Sequence, residues 1–149
     1  RGRILYNPWI ALDLVQEIPD LRFTLDLSHW VVVTERLIPI KALDPILIRT
    51  QHIHARIGTP QSSQVSNPSR MDQHVREYFE SVWKRVLTFS ACSKNSLCLE
   101  YGPFDEGGYQ PLVKKSDSNK WISEMPLEDL IAAEAKRLHI AFHDIMCNN

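Results

Sequence analysis

The sequence predicts an α/β fold of parallel strands flanked by helices, and three observations predict it. Short β-prone runs alternate with helical patterns along the chain, as parallel β/α units require, because their crossovers are long and usually helical. Three of those runs stop at residues that bind cations or polar ligands: Asp26-Leu27-Ser28-His29-Trp30, His52-Ile53-His54-Ala55-Arg56 and Leu99-Glu100-Tyr101-Gly102-Pro103. The three ends lie far apart in sequence, so only a fold that lines up parallel strand ends would unite them.

Each element has a local reason. Asn7-Pro8 reads as an N-cap followed by proline at the first helical position, opening a helix to about Ile18 that Pro19-Asp20 stops. Leu21 to Leu27 reads as a strand, with Arg22, Thr24 and Asp26 on one face. The apolar stretch from Trp30 to Leu37 fits helix or strand, and the helix is preferred. Ala42 to Thr50 reads as a further short helix despite Pro45.

His52 to Ile57 is the second strand; its alternation puts His52, His54 and Arg56 on one face and Ile53, Ala55 and Ile57 on the other. The stretch from Gly58 to Arg70 is rich in Ser, Pro, Gln and Asn and reads as a loop long enough to be functional. Met71 to Ala91 is the clearest helix, because Val75, Tyr78, Phe79, Val82, Trp83, Val86 and Leu87 recur at three- and four-residue steps. Ser96 to Tyr101 is the third strand, with Ser96, Cys98 and Glu100 on one side. Gly102 to Asn119 reads as a second long loop, and Pro126 to Met146 as a closing amphipathic helix. No repeat of fixed period is present.

Composition narrows the function. A chain of 149 residues with 44% apolar and 23% charged residues is an ordinary globular domain with enough length for a core. A net charge of −1 and the lack of a basic stripe give nucleic-acid binding no electrostatic support. No apolar run approaches the ~20 residues that span a bilayer, and none reads as a signal peptide. Three widely spaced cysteines, Cys92, Cys98 and Cys147, suit free thiols in a reducing compartment, so the expected location is cytoplasmic.

Carboxylate and imidazole at strand ends are suitable ligands for Mn, Mg, Co or Zn, which makes Asp26, His54 and Glu100 the candidate metal ligands. Each has a plainer reading. Asp26 also suits a helix N-cap or turn, and His29 a structural histidine. His52 lies on the same face as His54 and competes with it for the role of ligand. Glu100 ends an otherwise uncharged run and needs a partner if buried, but a salt bridge to Arg56 would serve as well as a metal. Other chemistry has less support. His139 and His143 lack the Glu of a zinc-protease motif, Gly107-Gly108 lacks the context of a phosphate loop, and no serine sits in a nucleophile elbow.

In combination, Asp26-Leu27-Ser28-His29-Trp30, His54-Ala55-Arg56-Ile57-Gly58 with Gln64-Val65 and Pro68, and Glu100-Tyr101-Gly102-Pro103 with Tyr109 and Pro111 resemble the xylose isomerase-like TIM barrels. The sugar phosphate isomerase/epimerase branch is the most similar, over Arg1 to about Pro111. The order of the motifs is fairly specific, although no single motif is. The resemblance implies one divalent metal held by Glu, Asp, His and Glu from four successive strands, with Asp26, His54 and Glu100 matching the last three. It implies substrate contacts from His29, Trp30, Arg56 and Gln64, and a sugar or polyol as substrate. The implied reaction moves a proton next to a carbonyl through a metal-stabilised enediolate, with Glu100 as one of two catalytic glutamates.

The first glutamate of that set has no counterpart in the chain, which opens on Arg-Gly-Arg without Met. A complete barrel needs about 250 residues. The expectation is therefore a single domain over 1–149 that forms the C-terminal half of a (β/α)8 barrel. The half-barrel would be completed by further polypeptide or by homo-oligomerisation, since open strand edges invite pairing. A hydrolase or lyase on the same scaffold, or an inactive remnant or binding module, are the alternatives.

Overall fold

A computed structural model of the chain describes residues 4–89, 95–101, 113–119, 121–123 and 125–147. The loop motifs at Gly102, Pro103, Gly107-Gly108, Tyr109 and Pro111, and Cys92, lie outside them.

The first helix, α1 (Pro8–Glu17), starts as its sequence predicts: Asn7 Oδ1 accepts a hydrogen bond of 3.0 Å from the Ile10 amide, and Pro8 needs no partner at the first position. Strand β1 is shorter than expected, Phe23–Leu25, because the chain turns at Asp26 into helix α2 (Leu27–Thr34). That helix begins three residues earlier than the apolar stretch suggests, and it ends at Glu35 in the left-handed region with φ 51°. Helix α3 (Ile40–Leu47) accommodates Pro45 internally and stops before Thr50, which opens strand β2 (Thr50–Ala55).

A short 3-10 turn at Pro68–Arg70 interrupts the loop that follows β2, and α4 (Gln73–Phe89) is the long helix its periodicity predicts. Strand β3 is Ser96–Leu99. The expected loop from 102 to 119 needs correction. Within it, β4 (Val113–Lys115) pairs antiparallel with β5 (Trp121–Ser123), and Asn119 at φ 60° closes the turn between them. Helix α5 (Leu127–Cys147) follows.

The strands β1, β2 and β3 form a parallel sheet in sequence order, with Leu25 beside Ile53, Ile53 beside Leu97, and Ala55 beside Leu99. All three therefore end on the same side, which is what brings the sites together. Parallel register also sorts the faces. Phe23, Leu25, Ile53 and Ala55 are buried, with Leu97 and Leu99 packed against the same core. Thr24, His52, His54, Ser96 and Cys98 alternate with them and point to the opposite face.

The core lies between the apolar face and the helices. Phe79, Val82, Trp83 and Val86 of α4 are all at most 1% exposed, and α4 packs against α3, α5 and β2. Burial of such side chains contributes roughly 2–3 kcal/mol each, which is why the α4 stripe dictates where the helix sits. Tyr78 adds a polar anchor, its hydroxyl accepting a 3.0 Å hydrogen bond from the Ile38 amide. No helix among the described residues is long and apolar enough to cross a membrane.

Candidate functional site

Asp26 occupies the N-cap position of α2, yet its carboxylate makes no capping hydrogen bond. It turns instead toward β2. Ser28 Oγ donates to Asp26 Oδ1 at 2.6 Å, and Arg56 Nη2 forms an ion pair with Oδ2. Arg56 directly follows the last residue of β2, so the parallel register delivers it to the same end of the sheet. Its Nε donates to Ser28 Oγ at 3.2 Å, so Ser28 links the two charged groups.

His29, three residues after Asp26, places Nε2 3.2 Å from Asp26 Oδ2 and 2.9 Å from Arg56 Nη2. Only one of those contacts is a hydrogen bond in any one tautomer: Nε2 donates to the carboxylate or accepts from the guanidinium. Its Nδ1 is enclosed and has no hydrogen-bond partner among the described residues.

Burial pushes the Asp26 carboxyl up, but the His29 hydrogen bond, the Arg56 charge and the Ser28 hydroxyl outweigh it and hold the group well below the usual carboxylate range. Asp26 is therefore an ionised acid at any pH near neutrality.

His54 and Glu100 complete the cluster. His54 is on β2 and faces Cys98 across the ladder, while Glu100 follows β3 immediately. His54 Nδ1 lies 2.7 Å from Glu100 Oε2, and Arg56 Nη2 lies 3.6 Å from the same oxygen. That oxygen is shut away from solvent and still accepts no aligned hydrogen bond among the described residues. One ligand atom from each of Asp26, His54 and Glu100 falls within 4.8 Å of the others. The expected bridge from Arg56 to Glu100 is thus a secondary contact, since the guanidinium belongs chiefly to Asp26.

The remaining residues singled out by sequence divide. Trp30 is buried, and its indole N–H is committed to the Leu5 carbonyl at 3.0 Å, so it offers a ring face and no donor. With Phe23, Tyr6, Asp26 and His29 it lines a pocket of about 160 Å³ beside the acid. Gln64 is buried in the loop after β2, where its backbone carbonyl accepts from Ser62 Oγ at 2.8 Å. That loop packs closely at Gly58. A Cβ there would meet Ser62 O at 2.8 Å, Ser63 O at 3.0 Å and Ser28 Cβ at 3.1 Å, so a glycine lets the loop press against the residue that supports Arg56.

Sequence reasoning missed two parts of this end of the sheet. Tyr101 is buried and its hydroxyl accepts a 3.2 Å hydrogen bond from the Ile57 amide, tying the exit of β3 to the exit of β2. Ser96 and Cys98 line up with His52: Ser96 Oγ is 2.7 Å from His52 Nδ1, and Cys98 Sγ is 3.4 Å from His52 Nε2. The alternation of β3 was the available signal, but the register between strands is not written in either strand alone. Burial, with the nearby charges of Glu100 and Asp26, raises the Cys98 thiol above its ordinary value.

Comparison of the chain with protein-family models, curated proteins and solved structures returned no match.

Proposed function

We propose that Asp26, His54 and Glu100 hold one divalent cation and that the chain belongs to a metal-dependent isomerase or epimerase acting on a sugar or polyol. The observation that carries this reading is Glu100 Oε2, which is enclosed, accepts no aligned hydrogen bond among the described residues and sits 2.7 Å from His54 Nδ1. An octahedral ion with ligands at about 2.1 Å sets adjacent donors about 3.0 Å apart, so this pair opens only slightly to admit one. Mn, Mg, Co or Zn suits a donor set of two carboxylates and an imidazole.

A bound cation would supply Lewis-acid polarisation of a substrate oxygen. The chain's own residues supply the rest. Glu100 is 41% exposed at its side chain, so its carboxylate can reach a substrate carbon and take the proton next to a carbonyl. Arg56 and His29 donate to substrate oxygens from the Asp26 side, and the Trp30 ring walls the pocket beside them.

The same reading takes the three-stranded parallel sheet as part of a (β/α)8 barrel. Neighbouring strands follow sequence order, and the face bearing His52, His54 and Cys98 would be the lumen. Edges β1 and β3 each pair on one side only among the described residues, which suits completion by further polypeptide or a second copy. Light scattering of the purified chain tests that part, and a stable monomer would count against completion by a second copy.

A second reading has its own observation. Arg56 already neutralises Asp26, so the cluster can stand as a metal-free ion-pair network in a protein without activity. Metal titration separates the two. The isomerase reading requires one Mn2+ per chain, lost in Asp26→Asn and Glu100→Gln; a chain that binds no Mn2+, or binds it equally in both variants, has no such centre.

A further inference from the structure

The open face of the sheet carries a second donor group one step back from the strand ends. We propose that His52, His54 and Cys98 form a site for a thiophilic divalent cation such as Zn2+, distinct in chemistry from the carboxylate-bearing cluster. One ligand atom from each of the three lies within 4.8 Å of the others. The set is two imidazoles and a thiol with no carboxylate, which selects zinc-like ions over Mg2+ or Mn2+.

The geometry of the pair Cys98 and His52 carries the argument. With zinc–sulfur and zinc–nitrogen bonds of about 2.3 and 2.0 Å, the edge of a tetrahedral site between sulfur and nitrogen is about 3.5 Å. Cys98 Sγ and His52 Nε2 are 3.4 Å apart. The ring is also pre-set for the task. Ser96 Oγ sits 2.7 Å from His52 Nδ1 and accepts a hydrogen bond from it in the tautomer that leaves the Nε2 lone pair facing the sulfur. Metal-bound histidines usually donate the far ring N–H to an oxygen acceptor that fixes the ring, and the Ser96 hydroxyl is placed to fill that role.

His54 stands on the same strand face, its ring edge-on to His52 with centroids 5.1 Å apart. Cys98 is a free, exposed thiol, so an ion can reach it. On binding, Cys98 releases its proton to solvent, and the sulfur–nitrogen contact is replaced by one bond from each atom to the cation. Three protein ligands leave the fourth position to water. This proposal does not depend on the isomerase reading, because Asp26 and Glu100 are not among its donors, although His54 is shared.

Cobalt titration of the reduced, chelator-treated 149-residue chain tests it, since only a thiolate ligand gives the intense sulfur-to-cobalt charge-transfer absorption in the near ultraviolet. The expected result is a band that saturates at one Co2+ per chain and is bleached by equimolar Zn2+. It should vanish in Cys98→Ser and His52→Gln, and survive in Cys92→Ser/Cys147→Ser and in Asp26→Asn. Ser96→Ala should weaken cobalt affinity about tenfold without removing the band. No band in the unaltered chain, a band that persists in Cys98→Ser, or one that disappears in Cys92→Ser/Cys147→Ser overturns the proposal. Failure of the carboxylate site reads separately, as absent Mn2+ binding with the cobalt band unchanged.

Discussion

Arg56 and Asp26 form an ion pair in which neither side chain is freely solvated, 11% exposed for the arginine and 13% for the aspartate. Thirty residues separate them in the chain, and the pair ties the entry of α2 to the exit of β2. Screening by water is weak at that exposure, so the charges depend on one another rather than on solvent.

Arg56→Ala should therefore cost about 3 kcal/mol of stability, because Asp26 stays charged and loses its guanidinium partner. Urea unfolding measures it. The double variant Asp26→Asn/Arg56→Ala should lose less than the sum of the two single losses, since neither charge is then left alone. Equal, additive losses would mean that the pair contributes nothing beyond its separate parts.

The partnership itself was not legible in the sequence. Alternation put Arg56 on the face of His54, and the end-of-strand position of Asp26, His54 and Glu100 follows from where their apolar runs stop. Which residue neutralises which depends on the register of three strands, and no strand states that for its neighbours. Helix boundaries failed for a similar reason. Leu27 reads as the end of a β-prone run, yet the turn at Asp26 lets it start α2 and bury completely. The β4–β5 hairpin is hidden because Val113-Lys114-Lys115 and Trp121-Ile122-Ser123 are too short to show a period. Its one cue is Ser116-Asp117-Ser118-Asn119, whose turn chemistry suits the left-handed Asn119.

Gly58→Ala places a methyl group 2.8 Å from one backbone oxygen and 3.0 Å from a second. Neither atom is the end of a flexible side chain, so the loop must move. The expected loss is about 1–3 kcal/mol in thermal or urea unfolding, the range of an overpacked site. The shift reaches Ser28, whose hydroxyl bridges Asp26 and Arg56, so any ligand or metal affinity of the cluster should fall as well. An alanine variant as stable as the parent would show that the loop is not held against Ser28.

Arg137 of α5 holds two acids, Glu134 of its own helix and Glu80 of α4, and so ties α5 to α4. Its Nη1 donates to Glu80 at 2.6 Å, and its Nε and Nη2 grip Glu134 at 3.0 and 2.8 Å. The Glu134 side chain is 6% exposed, so Arg137→Ala leaves a buried carboxylate without its cation and should destabilise by about 3 kcal/mol. Arg137→Lys keeps the charge but not the fork that grips both oxygens, and should recover part of the loss. Amide exchange of α5 offers a second readout: faster exchange in α5 than in α1 would locate the effect at the α4–α5 contact.

Tyr78 supplies a pH dependence that no metal site touches. Burial pushes its hydroxyl up to about 12 from an ordinary 10, against the opposing hydrogen bond from the Ile38 amide. The folded protein thus holds the neutral phenol more tightly than the unfolded chain does. Its contribution is fully present below pH 10, declines as pH rises above 10, and is lost by about 12. A phenol held neutral over that window is worth roughly 2–3 kcal/mol to the folded state. Tyr78→Phe should lose about 1 kcal/mol at pH 7, because the Ile38 amide is left without its acceptor. The parent should then fall through the variant's urea midpoint between pH 10 and 12 and end below it, because the loss over that window exceeds the gap of about 1 kcal/mol at pH 7. Parallel curves across that window would mean that the Tyr78 hydroxyl ionises as freely in the folded protein as in the unfolded chain.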